Sequence, residues 1–201
     1  ADILVLNPEL VSVQDQIPKN IWMYWEGKLP VLVNRCMERV KELHPDYQVY
    51  ILNPNNIGQF SSLDFELPVI QKATPQQRAD LIRFDLIYQY GGIWLDASTI
   101  VYEKLDWIIQ LVNQTKTQSF SYYRAKNTTK PEFPVIENWL LASVQHNIFY
   151  KDWFDELYSA IEMGPKHYIE QIKIQESNYQ DFFQEIGRLE YLVAYVACQK
   201  V

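Results

Sequence analysis

The stretch TPQQRADLIRFDLIYQYGGIWLDASTIV, Thr74 to Val101, decides the reading of this chain. Thr74 with Gln77 three residues later has the form of a capping box, and Pro75 suits the first helical position. Gly91 and Gly92 close the helix where a left-handed residue is wanted. At about 100° per residue, Arg78, Asp85 and Gln89 share one face, which reads as the solvent side. Ala79, Ile82, Leu86 and Tyr90 cover a second face, and Phe84, Ile87 and Tyr88 carry apolar character around the rest. Asp80 and Arg83 lie among these apolar residues, three apart and able to touch.

Charges on a buried face are costly unless paired and hydrogen-bonded. Two readings follow: a structural ion pair, or two side chains directed into a cleft. The next segment favours the cleft. Ile93, Trp94 and Leu95 form a short apolar strand that delivers Asp96 to its carboxyl end, where ligands of open α/β sheets gather. Asp80, Arg83 and Asp96 are therefore expected to converge on one polar ligand.

The composition sets the frame. A chain of 201 residues is most simply one domain and is long enough for a sizeable core. With 48% hydrophobic and 21% charged residues it reads as globular rather than disordered. A net charge of -7 argues against a nucleic-acid partner but leaves room for a nucleotide held by local positive charge. The two cysteines, Cys36 and Cys198, are too few for a metal cage or disulfide framework and read as buried thiols in a reducing compartment. No apolar run reaches the ~18 residues of a membrane span. The chain starts without methionine and stops at Val201 without a helix cap, so a C-terminal cut is expected.

Working outward, residues 1 to 16 read as an arm or short edge helix. Asn20 to Trp25 is a strand, with Trp22 and Tyr24 facing opposite Trp25 by the strand period. Pro30 to Leu43 is a helix with Val33, Met37 and Val40 inward. His44 reads as a surface or capping histidine. Gln48 to Leu52 is a second strand, which makes a βαβ unit with parallel strands. No G-x-G-x-x-G follows the first strand, against a dinucleotide site. Further elements are a short helix near 65–72, a helix from Leu105 to Val112, and strands from Thr117 to Tyr123 and Trp139 to Ala142. Helices are expected over Asn147 to Met163, Pro165 to Ile174, and Tyr179 to the end. Residues 124 to 134, polar and proline-punctuated, read as a mobile loop able to close over a substrate.

Several of these segments carry a resemblance. ADLIRFDLIYQYGGIWLDAST resembles the SD-x-x-R…Y-GG-h-W-h-D-A-x signature of bacterial capsular-polysaccharide synthesis glycosyltransferases. These are relatives of the sugar-binding-region DxD transferases and, more distantly, of bacterial glucosylating toxins. IPKNIWMYWEGKLP (17–30) resembles that family's opening strand, NRCMERVKELHPDYQVYILN (34–53) its following helix and strand, and ENWLLAS (137–143) a later motif. The four occur in the family order and span Ile17 to Phe149.

The resemblance implies an α/β GT-A-like nucleotide-sugar transferase fold, with a mostly parallel central sheet flanked by helices. It implies a nucleotide-diphosphate sugar donor of the uridine type, a glycan acceptor, retention of configuration, and a role in surface or capsular polysaccharide synthesis. It also implies a place in the cytoplasm, with peripheral contact to the inner face of a membrane. By resemblance, Asp96 belongs to the donor and metal site, Asp80 accepts from donor-sugar hydroxyls, and Arg83 donates to sugar or phosphate oxygens. Trp25 stacks on the base, with Tyr24 beside it among the donor-binding candidates. Asn138 and Ser143 lie near the donor sugar, although from residue type alone both read as surface polars. A divalent cation, Mn2+ or Mg2+, is expected to bind together with the diphosphate.

One departure bears on that ion. The wider DxD group has a second aspartate two residues after the first, and here the position is Ser98. A neutral hydroxyl is a poor ligand for a hard cation, so Asp96 and Ser98 make an incomplete metal pair. The same gap weighs against an aspartate-nucleophile phosphotransferase, which needs its second aspartate as general acid. A non-catalytic module that grips a glycan or nucleotide on a transferase fold stands as the alternative.

Overall fold

The computed structural model describes residues 3–7 and 16–201. Most of the expected N-terminal arm, residues 1–2 and 8–15, lies outside the described residues; 3–7 are exposed and without regular structure. The elements run β1 (Asn20–Tyr24), α1 (Val31–Leu43), β2 (Gln48–Leu52), α2 (Pro68–Lys72), α3 (Pro75–Tyr90) and β3 (Gly92–Leu95). There follow α4 (Asp106–Thr115), β4 (Ser119–Tyr123), β5 (Ile136–Ser143), α5 (Ile148–Met163), α6 (Pro165–Gln175), α7 (Tyr179–Phe183) and α8 (Val193–Cys198).

The five strands form one sheet in the order β2-β1-β3-β5-β4. β1 pairs in parallel with β2 and with β3, while β5 runs antiparallel to both β3 and β4. Four strands thus point one way and β5 the other, a mixed α/β sheet. Strand alternation splits its apolar residues between two cores. Trp22, Tyr24 and Trp94 face α3, α5, α6 and α8, whereas Ile21, Met23, Ile93 and Leu95 face α1 and α4.

The α3–β3 unit forms as the sequence dictates. The Thr74 hydroxyl accepts from the Gln77 amide at 3.2 Å, and the Gln77 side chain accepts from the Thr74 amide at 2.9 Å, which completes the capping box. Gly91 (φ 65°) and Gly92 (φ 98°) reverse the chain into β3. A Cβ on Gly91 would lie 2.7 Å from the Gln145 nitrogen, and one on Gly92 2.6 Å from the Asn20 carbonyl oxygen, so no side chain fits at either. The Trp22 indole donates to the Gly91 carbonyl at 2.9 Å and ties β1 to this turn.

Helix α3 has no solvent stripe over its centre: every residue from Asp80 to Ile87 is buried. The expected polar face is covered. Asp85 accepts from the Ser61 hydroxyl (2.6 Å), the Ser62 hydroxyl (2.7 Å), the Ser62 amide (2.9 Å) and the Gln89 amide group (2.7 Å). Arg78 is pinned by Glu26 and by the carbonyls of Ile70 and Ala73. The reason is tertiary: the segment between β2 and α3 folds back over a face that helical periodicity alone assigns to water.

Three further expectations change. His44 is buried, with Nδ1 2.7 Å from the Val40 carbonyl oxygen and Nε2 accepting from the Leu105 amide at 2.9 Å. Of its two expected roles the capping one holds, at the end of α1, and the surface one does not. The last helix is broken by the positive φ angles of Gln184 (43°) and Arg188 (51°) into α7 and α8. The loop at 124–134 is held to that break. The Gln184 carbonyl group accepts from the amides of Thr129 (2.8 Å) and Lys130 (3.0 Å), and its amide group donates to the Phe133 carbonyl at 2.7 Å. No helix among the described residues is long and apolar enough to cross a membrane.

Candidate active site

Because α3 runs back along the sheet, its first turns lie at the carboxyl edge of β3. Asp96 follows Leu95 there, and its amide donates to the Trp139 carbonyl at 2.8 Å, which extends the β3–β5 ladder by one step. Asp96 Oδ1 accepts from the Trp94 indole at 2.9 Å and lies 3.2 Å from Arg83 Nη1. Arg83 Nη2 lies 3.0 Å from Asp80 Oδ1, and the same oxygen accepts from the Asn138 amide group at 3.1 Å. Arg83 also donates to the Asn138 backbone carbonyl and lies 5.0 Å above the Trp94 ring. Asp80, Arg83, Asp96 and Asn138 therefore form one connected cluster.

Within the cluster, access differs sharply. The side chains of Arg83 and Asp80 are 5% and 6% exposed, and that of Asp96 is 38% exposed. Arg83 spends its donors on Asp80, Asp96 and two backbone carbonyls, so it holds the site from beneath. Burial pushes the Asp80 carboxyl up to about 6, with Arg83 pulling it down, the Asp96 charge adding to the rise and Asn138 opposing it. One buried guanidinium serves two carboxylates, and burial makes Asp80 harder to ionise than an ordinary aspartate.

On β1 the register with β3 pairs Trp22 with Trp94, which carries Tyr24 level with Asp96 on the adjacent strand. Tyr24 is 6% exposed, however, and its hydroxyl donates to Glu26 at 3.1 Å. Its ring belongs to the core and is not offered to a ligand. Trp25 is half-buried, its indole donates to the Lys28 carbonyl at 3.2 Å, and it lines a pocket of about 380 Å³ with Asn53, Pro54 and Asn55. Glu26, which sequence reading passed over, is held below its ordinary range by its hydrogen bonds with Arg78.

Ser143 stands apart from the cluster. It pairs with Gly92, at the opposite end of β3 from Asp96, and its hydroxyl accepts from the Asn147 amide group at 3.1 Å. It closes the turn into α5. Asn138 and Ser143 share a strand but sit at different edges of the sheet, and neither is the surface polar that its residue type suggests.

Ser98 is exposed, in a turn closed by the Thr99 amide on the Asp96 carbonyl at 2.9 Å. Among the described residues no group of three histidine, cysteine or acidic side chains forms a metal cage. Asp96 Oδ2 accepts no hydrogen bond among the described residues, whereas Oδ1 takes two contacts. The donor set fits an ion that arrives with oxygens of its own, and does not fit a resident one.

The fold has a known counterpart. The solved structure of the PaToxG glycosyltransferase matches 92% of this chain and 69% of its own length, with a TM-score of 0.58 at 14% identity. This likeness places the chain among proteins of glycosyltransferase fold. The chain belongs to the capsular polysaccharide synthesis protein family, whose model matches residues 8–184. It is 26% identical over 170 residues to the glycosyltransferase afumC of Aspergillus fumigatus, covering 77% of this chain and 44% of that protein. It is 24% identical over 152 residues to the O-glycosyltransferase braB of Annulohypoxylon truncatum, covering 68% and 36%. A shorter match, 32% over 97 residues, covers 46% of this chain and 27% of inositol phosphoceramide mannosyltransferase 3 of Schizosaccharomyces pombe. The chain spans less than half the length of these curated relatives.

Proposed function

We propose that this chain is a glycosyltransferase that takes a sugar from a nucleotide-diphosphate donor and passes it to a glycan hydroxyl. The observation that carries the reading is the Asp80–Arg83–Asp96–Asn138 cluster at the carboxyl edge of β3, opened to solvent through Asp96 alone. Arg83 fixes the Asp96 carboxylate in place without leaving the interior. Asp96 then offers its free oxygen to the donor, either to sugar hydroxyls or to a cation bridging the diphosphate. Trp25, just after the neighbouring strand β1 and beside the Asn53–Asn55 pocket, supplies a flat ring for the base. Arg83 and Asp80 act as positioning residues rather than as groups that touch the sugar.

The reading includes a role in surface-polysaccharide synthesis, which the family's description supports, and a uridine-type donor and retention of anomeric configuration, which rest on the motif resemblance alone. It also includes work in the cytoplasm, at the inner face of a membrane. Asp96 and Ser98 would help to hold a divalent cation that arrives with the diphosphate, and the ion would neutralise leaving-group charge. The test is incubation with a panel of nucleotide sugars, with and without manganese, while free nucleotide and free sugar are followed. Release of nucleoside diphosphate from one donor, lost in Asp96→Asn, is the expected result. Tight donor binding without any release would make the chain a binding module instead.

A further inference from the structure

A second, larger cleft opens beside the first turn of α3. Its volume is about 1060 Å³, just above the ~300–1,000 Å³ of small-molecule sites. Three segments line it: the first turn of α3 with Pro75 and Gln76, the start of α6 with Lys166 and Glu170, and Glu190 with Tyr191 between α7 and α8. Two observations join it to the Asp96 cluster. Gln76 and Asp80 are four apart on one helix, so one helical turn separates cleft and cluster. Tyr191 stands in the turn that leads into α8, whose Tyr195 donates at 2.7 Å to Glu137, the β5 neighbour of Asn138.

The lining selects a chemistry. Tyr191 is 53% exposed, and the Arg188 guanidinium lies 4.3 Å from its ring centre. The ring face that Arg188 leaves open, with two prolines, gives flat, rigid surface suited to the C–H face of a pyranose. Gln76, His167, Glu170 and Glu190 add donors and acceptors for ring hydroxyls. The charges offset one another, with Glu170 and Glu190 against Lys166 and the Arg188 guanidinium on Tyr191, and no basic cluster stands out. That disfavours a phosphate-bearing ligand, which takes clustered basic groups. The Trp25 pocket, on the sheet face that carries α1, is separate.

We propose that this cleft is the acceptor site, and that it holds a neutral, hydroxyl-rich glycan of more than one ring whose end reaches Asp96 past the first turns of α3. The proposal rests on the transferase reading for its direction of transfer, but sugar binding in the cleft can be measured without turnover.

The experiment is amide NMR on the isotope-labelled chain, titrated separately with methyl α-mannopyranoside, maltose, lactose, inorganic phosphate and uridine diphosphate. At least one sugar is expected to shift the amides of Gln76, Lys166 and Tyr191, and neither phosphate nor uridine diphosphate to do so. Tyr191→Ala is expected to weaken that sugar's binding by at least ~10-fold, with unchanged affinity for uridine diphosphate. The proposal is overturned if none of the sugars in large excess moves these amides, or if phosphate moves them as strongly. It is also overturned if Tyr191→Ala weakens nucleotide and sugar alike. Failure of uridine diphosphate to shift residues around Trp25 is a different result: it sinks the donor reading and leaves sugar binding in the cleft intact.

Discussion

Arg83 Nη1 lies 3.2 Å from Asp96 Oδ1, although the guanidinium is almost wholly buried and the carboxylate is open to solvent. A buried cation therefore fixes the one acidic group of the cluster that a ligand can reach. Removing the cation and neutralising the acid should have different consequences.

Asp96→Asn keeps an oxygen for Arg83 and Trp94, so the fold should stand while the charge is lost. We expect a melting temperature within a few degrees of the parent and a fall in donor turnover of at least ~100-fold. Arg83→Lys keeps the charge but loses the planar fork that serves Asp80 and Asp96 together. It should lower both the melting temperature and the turnover, by about 1–3 kcal/mol of stability. Paired thermal melts and donor-release assays check this. An active Asp96→Asn protein would remove Asp96 from the reaction.

Asp80 gives a pH signature. Its carboxyl is raised in the fold to about 6, above its ordinary value, by burial first. A raised carboxyl contributes stability that is complete below the unfolded value and is lost as pH climbs through the folded one. Between about pH 4 and pH 6–7 the parent should lose stability relative to Asp80→Asn, by up to about 2–3 kcal/mol. Melting both proteins across that range is the measurement. Parallel curves would show that Asp80 ionises as easily in the fold as in the open chain.

Trp25 is the half-buried tryptophan beside the smaller pocket, whereas Trp22 and Trp94 are both 1% exposed. Uridine diphosphate should quench part of the tryptophan emission. Trp25→Ala should remove most of that quench and weaken nucleotide binding by about 1–3 kcal/mol. Since the chain has six tryptophans, Trp25→Phe is titrated beside the parent. An undiminished quench in Trp25→Phe would move the base elsewhere.

For the ion, the free protein should show no tight site, and manganese should bind only with uridine diphosphate present. Ser98→Asp restores a second carboxylate in the turn after Asp96 and should tighten manganese binding without nucleotide. Calorimetry of both proteins, with and without uridine diphosphate, decides it. Tight binding by the unmodified free protein would point to other carboxylates. No change in Ser98→Asp would assign Asp96 to sugar or ribose hydroxyls.

Much of the frame was legible because it is written locally. The Thr74–Gln77 box, the glycine pair and the β1–α1–β2 unit depend on residues a few positions apart. The Asp80–Arg83 contact was legible for the same reason, being one helical turn long. What escaped was whatever a distant segment decides. Asp85 and Arg78 read as solvent-facing until Ser61, Ser62 and Glu26 arrive from elsewhere. Asn138 reads as a surface polar because its partner Asp80 is 58 residues away. Ser143 shares the motif of Asn138, yet strand direction carries it to the far edge. The single C-terminal helix failed on Gln184, a residue whose positive φ no periodicity announces.

The burial of α3 on all sides over its centre also limits where this chain can change. A mutational scan of residues 80 to 87 should find no tolerant face, because each side chain is packed or bonded to something. Adaptation to a new sugar or acceptor would have to proceed through rims that water already touches: Gly27 to Leu32 after β1, Ser98 to Tyr102 after β3, and Glu190 with Tyr191. The helix beneath them would be inherited whole. Libraries for redirecting specificity belong on those three rims, with the Asp80–Arg83–Asp96 triangle left as the fixed floor on which they are varied.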